Sequence, residues 1–181
     1  MPAPRDPLAD LAPRDVVENW TVDSLMTALE KVDSKVNFER GRQLTAVAQC
    51  FKCHRFDGQG GIQGPDLTVV GKRFSEKDML VAIVDPNKEI SDQYQATQFL
   101  LEDRVVVGRV ANLSGNNLQV VTNMLAPGEF TGVKVSDIIE RRPSPNSPMP
   151  AGLFDTFTPE EIADVLAYLR SGGDAKHEVY Q

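Results

Sequence analysis

The chain has 181 residues, of which 41% are hydrophobic and 25% charged, and its formal net charge is -7 at pH 7. This length supports one well-buried core with an appendage, and the composition excludes disordered, collagen-like and membrane-spanning classes. The acidic balance argues against a nucleic-acid partner and favours docking to a basic surface, because phosphate binding needs a basic face.

The first 37 residues form a predicted N-terminal extension with one short helix. Residues 1–7 include three prolines and lack the charged-then-apolar pattern of an export signal. A helix is predicted over 21–32, because Val22, Leu25 and Leu29 lie on one helical face. We expect this helix to pack against the domain that follows.

The only two cysteines, Cys50 and Cys53, stand in the sequence C-F-K-C-H, which follows a helix predicted over 38–49. This is the C-x-x-C-H pattern of covalent haem attachment. Two intervening residues place both sulfurs along one turn, where each can reach a vinyl group on the same haem edge. The next residue, His54, then projects its imidazole under the iron. The pattern predicts one covalent haem c with His54 as the proximal iron ligand.

Three other interpretations of the cysteine pair are open: a thioredoxin-like redox pair, half of a zinc site, and a structural disulfide. A four-ligand zinc site needs two more ligands, yet the only other histidine is His177 near the end of the chain. A thioredoxin-like pair is expected after a strand, whereas a helical pattern precedes this one. Haem attachment is therefore the favoured interpretation.

A glycine-rich loop follows the motif and ends in the sequence G-P-D-L, from Gly64 to Leu67. Such a loop can pass close to a flat cofactor. It resembles the corresponding loop of small c-type cytochromes, which implies that Pro65 offers its carbonyl to the N–H of the proximal imidazole. Such a bond fixes the tautomer and raises the basicity of the ligand. By the same resemblance, Leu67 is expected to pack on the haem face.

Beyond the loop, Ser75 caps a predicted helix that ends before Pro86. The pattern then changes to that of strands, which we predict at 94–101, 104–111, 118–123 and 130–135. Turn-forming residues separate these strands. The sequence therefore predicts an antiparallel β-sheet insertion over about 94–139.

The sixth position of the iron decides function, because an iron held by His54 alone stays open to small molecules. Met149 stands between Pro148 and Pro150, which keep its loop extended. A stiff loop suits a weak thioether ligand, since little ordering entropy is lost on binding. We predict Met149 as the distal iron ligand, and we expect His177 to be a solvated terminal residue. The other methionines are expected at the terminus or in the core: Met1, Met26, Met79 and Met124.

The last predicted helix has the clearest boundaries. Thr158 and Glu161 form a capping box, with Pro159 in the first turn. An apolar stripe follows, and Gly172 ends the helix. This terminal helix is expected to pack against the helix that leads to the cysteines.

With these residues placed, the chain resembles the haem-binding cytochrome c domain found in Planctomycetes and Verrucomicrobia. That domain often lies at the C-terminus of large exported dehydrogenase-like or propeller proteins. The resemblance covers about residues 20–173. It rests on C-F-K-C-H, on G-P-D-L, on I-V-D-P leading to I-S-D-Q-Y, on S-P-M-P-A-G-L and on A-Y-L. It implies haem c, a periplasmic or otherwise extracytoplasmic location, and electron transfer linked to a partner dehydrogenase domain.

The predicted fold class is mostly α: a small cytochrome c fold with an antiparallel β-sheet insertion before the distal methionine loop and an N-terminal helical extension. The extension occupies 1–37, the cytochrome c domain 38–175, and a C-terminal tail 176–181. The missing export signal and the resemblance suggest that the chain is a piece of a longer protein. Several residues are weaker candidates. Four cations either pair with haem propionates or are solvated: Arg55, Lys72, Arg73 and Arg142. Two aromatic residues, Trp20 and Tyr94, are expected in the core.

The predicted function is that of a monohaem, His/Met-ligated electron-transfer protein rather than an enzyme. Its predicted partner is a redox protein or a fused dehydrogenase domain, without nucleic acid and without a membrane span. One alternative is a haem-based sensor or small catalytic haem site whose distal methionine is displaceable. Another is a docking role, in which the β insertion attaches a parent enzyme to its redox partner.

Overall fold

The computed structural model describes residues 14–124 and 126–181. The proline-rich start of the predicted extension, residues 1–13, lies outside the described residues, as does Leu125. The described helices are α1 (Val22–Leu29), α2 (Phe38–Val47), α3 (Cys50–Cys53), α4 (Val70–Arg73), α5 (Glu76–Val84) and α6 (Pro159–Ser171). The strands are β1 (Arg55–Phe56), β2 (Gln59–Gly60), β3 (Thr97–Leu100), β4 (Val105–Ser114), β5 (Asn117–Val121), β6 (Thr131–Lys134) and β7 (Glu140–Pro143).

Helix α6 is the centre of the helical part. Its capping box forms as predicted, with the Thr158 N–H 3.0 Å from Oε2 of Glu161 and the Glu161 N–H 3.4 Å from Oγ1 of Thr158. Pro159 occupies the first turn and Gly172 ends the helix. Nearly every residue from Ile162 to Leu169 is buried, so this helix is surrounded by the rest of the helical core.

Helix α2 crosses α6 at close range. A Cβ at Gly41 would lie 2.3 Å from the backbone oxygen of Asp164, so only glycine permits this approach. The carboxylate of Asp164 is fully buried and accepts hydrogen bonds from the N–H of Asn37, at 2.7 Å, and from Nε of Arg40. The sequence prediction that the terminal helix packs against the helix leading to the cysteines is confirmed.

The N-terminal extension packs on the same helical core. The indole Nε1 of Trp20 donates to the carbonyl of Phe157 at 3.2 Å, and the N–H of Val17 donates to the carbonyl of Asp155 at 2.7 Å. Leu25 of α1 is completely buried. The predicted extension helix therefore forms and contributes to the core. It is shorter than the predicted range 21–32: Thr21 is its N-cap, and the helix ends at Leu29.

The end of the chain also folds back. The ring of Tyr180 stands edge-on to that of Phe38, with the centroids 5.6 Å apart. His177 is half-buried, and its Nδ1 accepts from the N–H of Val179 at 3.2 Å. The expectation that His177 is a solvated terminal residue is therefore wrong, because a short 3₁₀ turn over Glu178–Tyr180 recruits its side chain as a cap.

Five strands form one antiparallel sheet in the order β6-β5-β4-β3-β7. Neighbouring strands up to β6 are joined in chain order, and the connection from β6 then crosses to the opposite edge, where β7 pairs with β3. A 3₁₀ turn, Val135–Asp137, lies in this crossing connection. The sheet has its own apolar core, formed by Phe99, Leu101, Val106, Leu118, Val120 and Val133.

The predicted fold class, mostly α, is wrong. Of the described residues, 32% are helical and 19% lie in strands, and the sheet has five strands. The prediction underestimated the strand content, because β4 runs for ten residues and because β7 extends the sheet beyond the predicted end at 139. Among the described residues, no helix is long and apolar enough to span a bilayer.

Candidate haem-attachment site

The cysteines do not lie at the end of α2, as the sequence predicts, but in a separate turn, α3. Helix α2 ends at Val47, and Gln49 has a left-handed backbone with φ of 61°. This residue breaks the helix and turns the chain before Cys50. Because four residues then form a single helical turn, both sulfurs lie along it. His54 follows in an extended conformation, so its side chain leaves the turn.

Both cysteines are half-buried free thiols. Burial raises the pKa of Cys50 to about 12 and also raises the pKa of Cys53, which Lys52 opposes only in part. A reactive redox cysteine needs a lowered pKa, so these thiols do not match a thioredoxin-like pair. Within 14–124 and 126–181, no three His, Cys, Asp or Glu side chains are grouped as a metal site needs. The raised thiol pKa values disfavour the redox interpretation.

The imidazole of His54 is held by one hydrogen bond. Its Nδ1 lies 2.8 Å from the carbonyl oxygen of Pro65. Since a carbonyl can only accept, the proton is on Nδ1 and the lone pair of Nε2 remains available. Burial lowers the pKa of His54, and the bond to Pro65 opposes this in part. The contact itself is the one expected from the sequence, whereas the role of Pro65 at a cofactor stays a prediction.

The glycine loop folds directly over the motif. A tight hairpin connects β1 to β2 through Asp57 and Gly58, whose φ values of 47° and 75° suit the Asp-Gly pair. Further along, the N–H of Gly64 donates to the carbonyl of Cys53 at 2.8 Å. A Cβ at Gly64 would lie 2.5 Å from Cε1 of His54. The imidazole therefore occupies the space where any other residue would carry a side chain.

Leu67 and Met149 lie outside this cluster of contacts. Leu67 is half-buried and packs against the helical core. Met149 is half-buried in the loop between β7 and α6, where its N–H donates to Oγ of Ser147 at 3.1 Å. The N–H of Ser147 in turn donates to Oδ1 of Asn87 at 2.7 Å. None of the hydrogen bonds described for this loop reaches the cysteines or His54, so the roles of Leu67 and Met149 stay predictions.

Two contacts that the sequence does not predict join the sheet to the motif. The carbonyl oxygen of Met124, after β5, lies 4.0 Å from Sγ of Cys53, and Met124 is half-buried there. The guanidinium of Arg109 on β4 donates to the carbonyl of Gln63 in the glycine loop. No sequence signal links these positions, because the partners are far apart along the chain and no motif contains them.

The weaker candidates have other contacts. Arg142 donates to the side chain of Gln98 on the sheet at 2.8 Å, and Arg73 lies over the ring of Phe74. Trp20 packs against the helical core as expected. Tyr94 lies under the guanidinium of Arg109 rather than in either apolar core. Whether these cations meet haem propionates stays a prediction.

The family model described as cytochrome c matches residues 38–102. The matched segment runs from α2 to the end of β3 and contains the cysteines, His54, Pro65 and Leu67, but not Met149. It covers less than half of the chain. The match indicates a cytochrome c domain, with covalent haem c and a haem-binding electron-transfer function. It concerns the cytochrome c family in general and does not reach the narrower planctomycete and verrucomicrobial type. No curated protein matches the chain.

Proposed function

We propose that the chain carries a single haem c attached through Cys50 and Cys53, with His54 and Met149 as axial ligands, and transfers single electrons. The observation that carries this proposal is the donor set at the motif. Two free thiols lie on one turn, and the imidazole beside them has its Nδ1–H held by Pro65. This set fits a haem, because thioether attachment needs two thiols and axial ligation needs a free imidazole nitrogen.

The protein residues have distinct tasks in this proposal. When bound, the haem supplies an iron that changes oxidation state by one electron. Cys50 and Cys53 fix the cofactor in the chain, and His54 presents Nε2 while Pro65 holds the other nitrogen. Gly64 leaves room for the imidazole. Met149 would close the second axial position, which favours electron transfer over binding of small molecules.

The proposal also includes the cellular location of the chain and its redox partner. We infer an extracytoplasmic, periplasm-like location, because cytochrome c domains usually occur there. The planctomycete-type resemblance supports a place within a longer redox protein, with a dehydrogenase domain as electron donor. A separate redox protein with a basic face would serve equally, since the chain carries a net charge of -7.

The experiment compares wild-type protein, made in an export-competent host, with the variants M149A and M124A. We expect a mass above that of the polypeptide by one haem, and a far-red sulfur-to-iron band that M149A removes and M124A retains. The reduction potential should fall in M149A, because the thioether favours the reduced iron. A colourless protein with the mass of the polypeptide alone would refute haem attachment. Loss of the band in M124A instead would assign the sixth ligand to Met124. Carbon monoxide binding to the reduced wild-type protein would favour a sensor.

A further inference from the structure

Arg109 is the residue of the sheet that reaches the glycine loop. It lies on the central strand β4, opposite Val121 of β5. Its side chain is half-buried, and its guanidinium donates to two backbone carbonyls, those of Gln63 and, at 3.3 Å, Gln93. The ring of Tyr94 lies 5.4 Å from the guanidinium carbon, which is cation–π range. Arg109 therefore connects the sheet to two segments that precede it.

The bond to Gln63 acts on a particular peptide unit. The carbonyl of Gln63 and the N–H of Gly64 belong to the same planar group, so they cannot turn independently. On one side this group accepts from Arg109, and on the other it donates to the carbonyl of Cys53 at 2.8 Å. The sheet thus holds one end of a rigid unit whose other end is bonded to the haem-attachment motif.

The orientation of this peptide affects His54. Gly64 touches the imidazole, with the place of its absent Cβ 2.5 Å from Cε1 and 2.7 Å from Nδ1. The next residue, Pro65, supplies the carbonyl that accepts from Nδ1 at 2.8 Å. Rotation of the Gln63–Gly64 peptide would therefore shift Gly64 against the imidazole ring. It would also shift the carbonyl of Pro65, which accepts the Nδ1 proton of His54.

The chemistry of the Arg109 side chain suits a fixed connection between the sheet and the glycine loop. The described residues give Arg109 no carboxylate partner within ion-pair distance. Its planar guanidinium holds its donors in a fixed fork that can bond two acceptors at once, whereas the ammonium of lysine is a compact charge without that fixed geometry. Charge-assisted hydrogen bonds are stronger than neutral ones, particularly where water is partly excluded.

We propose that Arg109 is a positioning residue for the proximal side of the haem site, so that the sheet sets the strength of the His54–Pro65 hydrogen bond. This rests on the proposed function. A stronger bond from Nδ1 makes the imidazole a better electron donor and stabilises oxidised iron. Loss of Arg109 should weaken the bond and raise the reduction potential.

The test compares R109M and R109K with R104M, all in the haem-loaded full chain. Arg104 is a suitable control because it is exposed on the turn before β4 and pairs with its neighbour Asp103. Two quantities are measured: the reduction potential, and the rate at which the Nδ1 proton of His54 exchanges with D₂O, followed by NMR. We expect R109M to exchange at least about tenfold faster and to show a higher potential, with R109K intermediate and R104M unchanged.

The outcomes separate this inference from the proposed function. Wild-type protein without haem would refute the proposed function. Haem-loaded R109M with wild-type exchange and potential would overturn the role of Arg109, even if its thermal stability fell, because a merely structural residue would behave in that way. If R109M does not fold, R109K decides: an intermediate shift in both quantities supports the proposal, and wild-type values in both overturn it.

Discussion

The described residues form two apolar cores, one among the helices and one inside the five-stranded sheet. The helical core encloses the contacts of α6 with α2 and includes a buried carboxylate, Asp164. The sheet core is smaller, with six buried apolar residues. The haem-attachment motif packs on the helical core. From the side of the sheet, Met124 contacts Cys53 of the motif, and Arg109 contacts Gln63 of the adjoining glycine loop. In the proposed function, the helical part attaches the cofactor, and the proposed role of Arg109 lets the sheet adjust the surroundings of the cofactor.

The strongest test of whether the two cores are independent is to remove a large side chain from the sheet core. Phe99 is 1% exposed, and F99A should lower the free energy of unfolding by about 3–5 kcal/mol through lost burial and a cavity. If the cores are independent, hydrogen exchange will show loss of protection in β3, β4 and β5 while α6 keeps its protection.

The control is L100A, which alters the next residue on the opposite, more exposed face of β3. L100A should lower the free energy of unfolding much less than F99A does. Equal loss of protection in α6 and in the sheet after F99A would show that the two cores unfold as one cooperative unit and are not independent.

A second test addresses the helical core. D164A removes the buried carboxylate that accepts from the Asn37 N–H and from Arg40. Because Arg40 is itself about half exposed, we expect a loss of about 1.5–3 kcal/mol rather than the larger cost of breaking a fully buried pair. Chemical denaturation measures this change.

The variant D33A removes an exposed carboxylate from the loop before α2 and serves as the control. It should leave the free energy of unfolding nearly unchanged. Protection of the sheet amides should survive D164A if the comparison holds, and their loss would again indicate one cooperative unit.

The smallest expected effect concerns pH and Glu161. Burial, the largest influence, raises the pKa of Glu161, but hydrogen bonds from Arg14 and from the Thr158 N–H, with nearby guanidinium charges, lower it overall below 4.5. A carboxylate with a lowered pKa in the folded state stabilises the fold above the unfolded pKa, and this contribution is lost as the pH falls through the folded value.

E161Q keeps a capping side chain but removes the charge. Wild type should be more stable than E161Q by under about 1 kcal/mol near neutral pH, and the difference should shrink below about pH 4.5. Urea denaturation as a function of pH checks this, with E102Q in the turn before β4 as the control for loss of one negative charge. A difference that stays constant down to pH 3 would contradict the assignment.

The boundaries of α5 and α6 were predictable because their signals are local. Ser75 with Asp78, and Thr158 with Glu161, form capping boxes within four consecutive residues. The attachment motif was equally local. Strand β7 was missed because its sequence, E-R-R-P, is polar and ends in proline, a composition suited to an edge strand but without strand propensity of its own.

The rest of the site depends on contacts that no local pattern contains. The left-handed backbone of Gln49 carries no glycine signal, so the break between α2 and α3 could not be foreseen. Arg109 meets Gln63 only because the sheet folds against the glycine loop. Such pairs are set by tertiary packing, which sequence periodicity does not report.

The pairing of β7 with β3 has a consequence for the order of folding. These strands are about 40 residues apart, while the other neighbours in the sheet follow one another along the chain. Local hairpins close within microseconds, whereas distant segments meet later. The loop with Met149 begins directly after β7, so it acquires its restraints late.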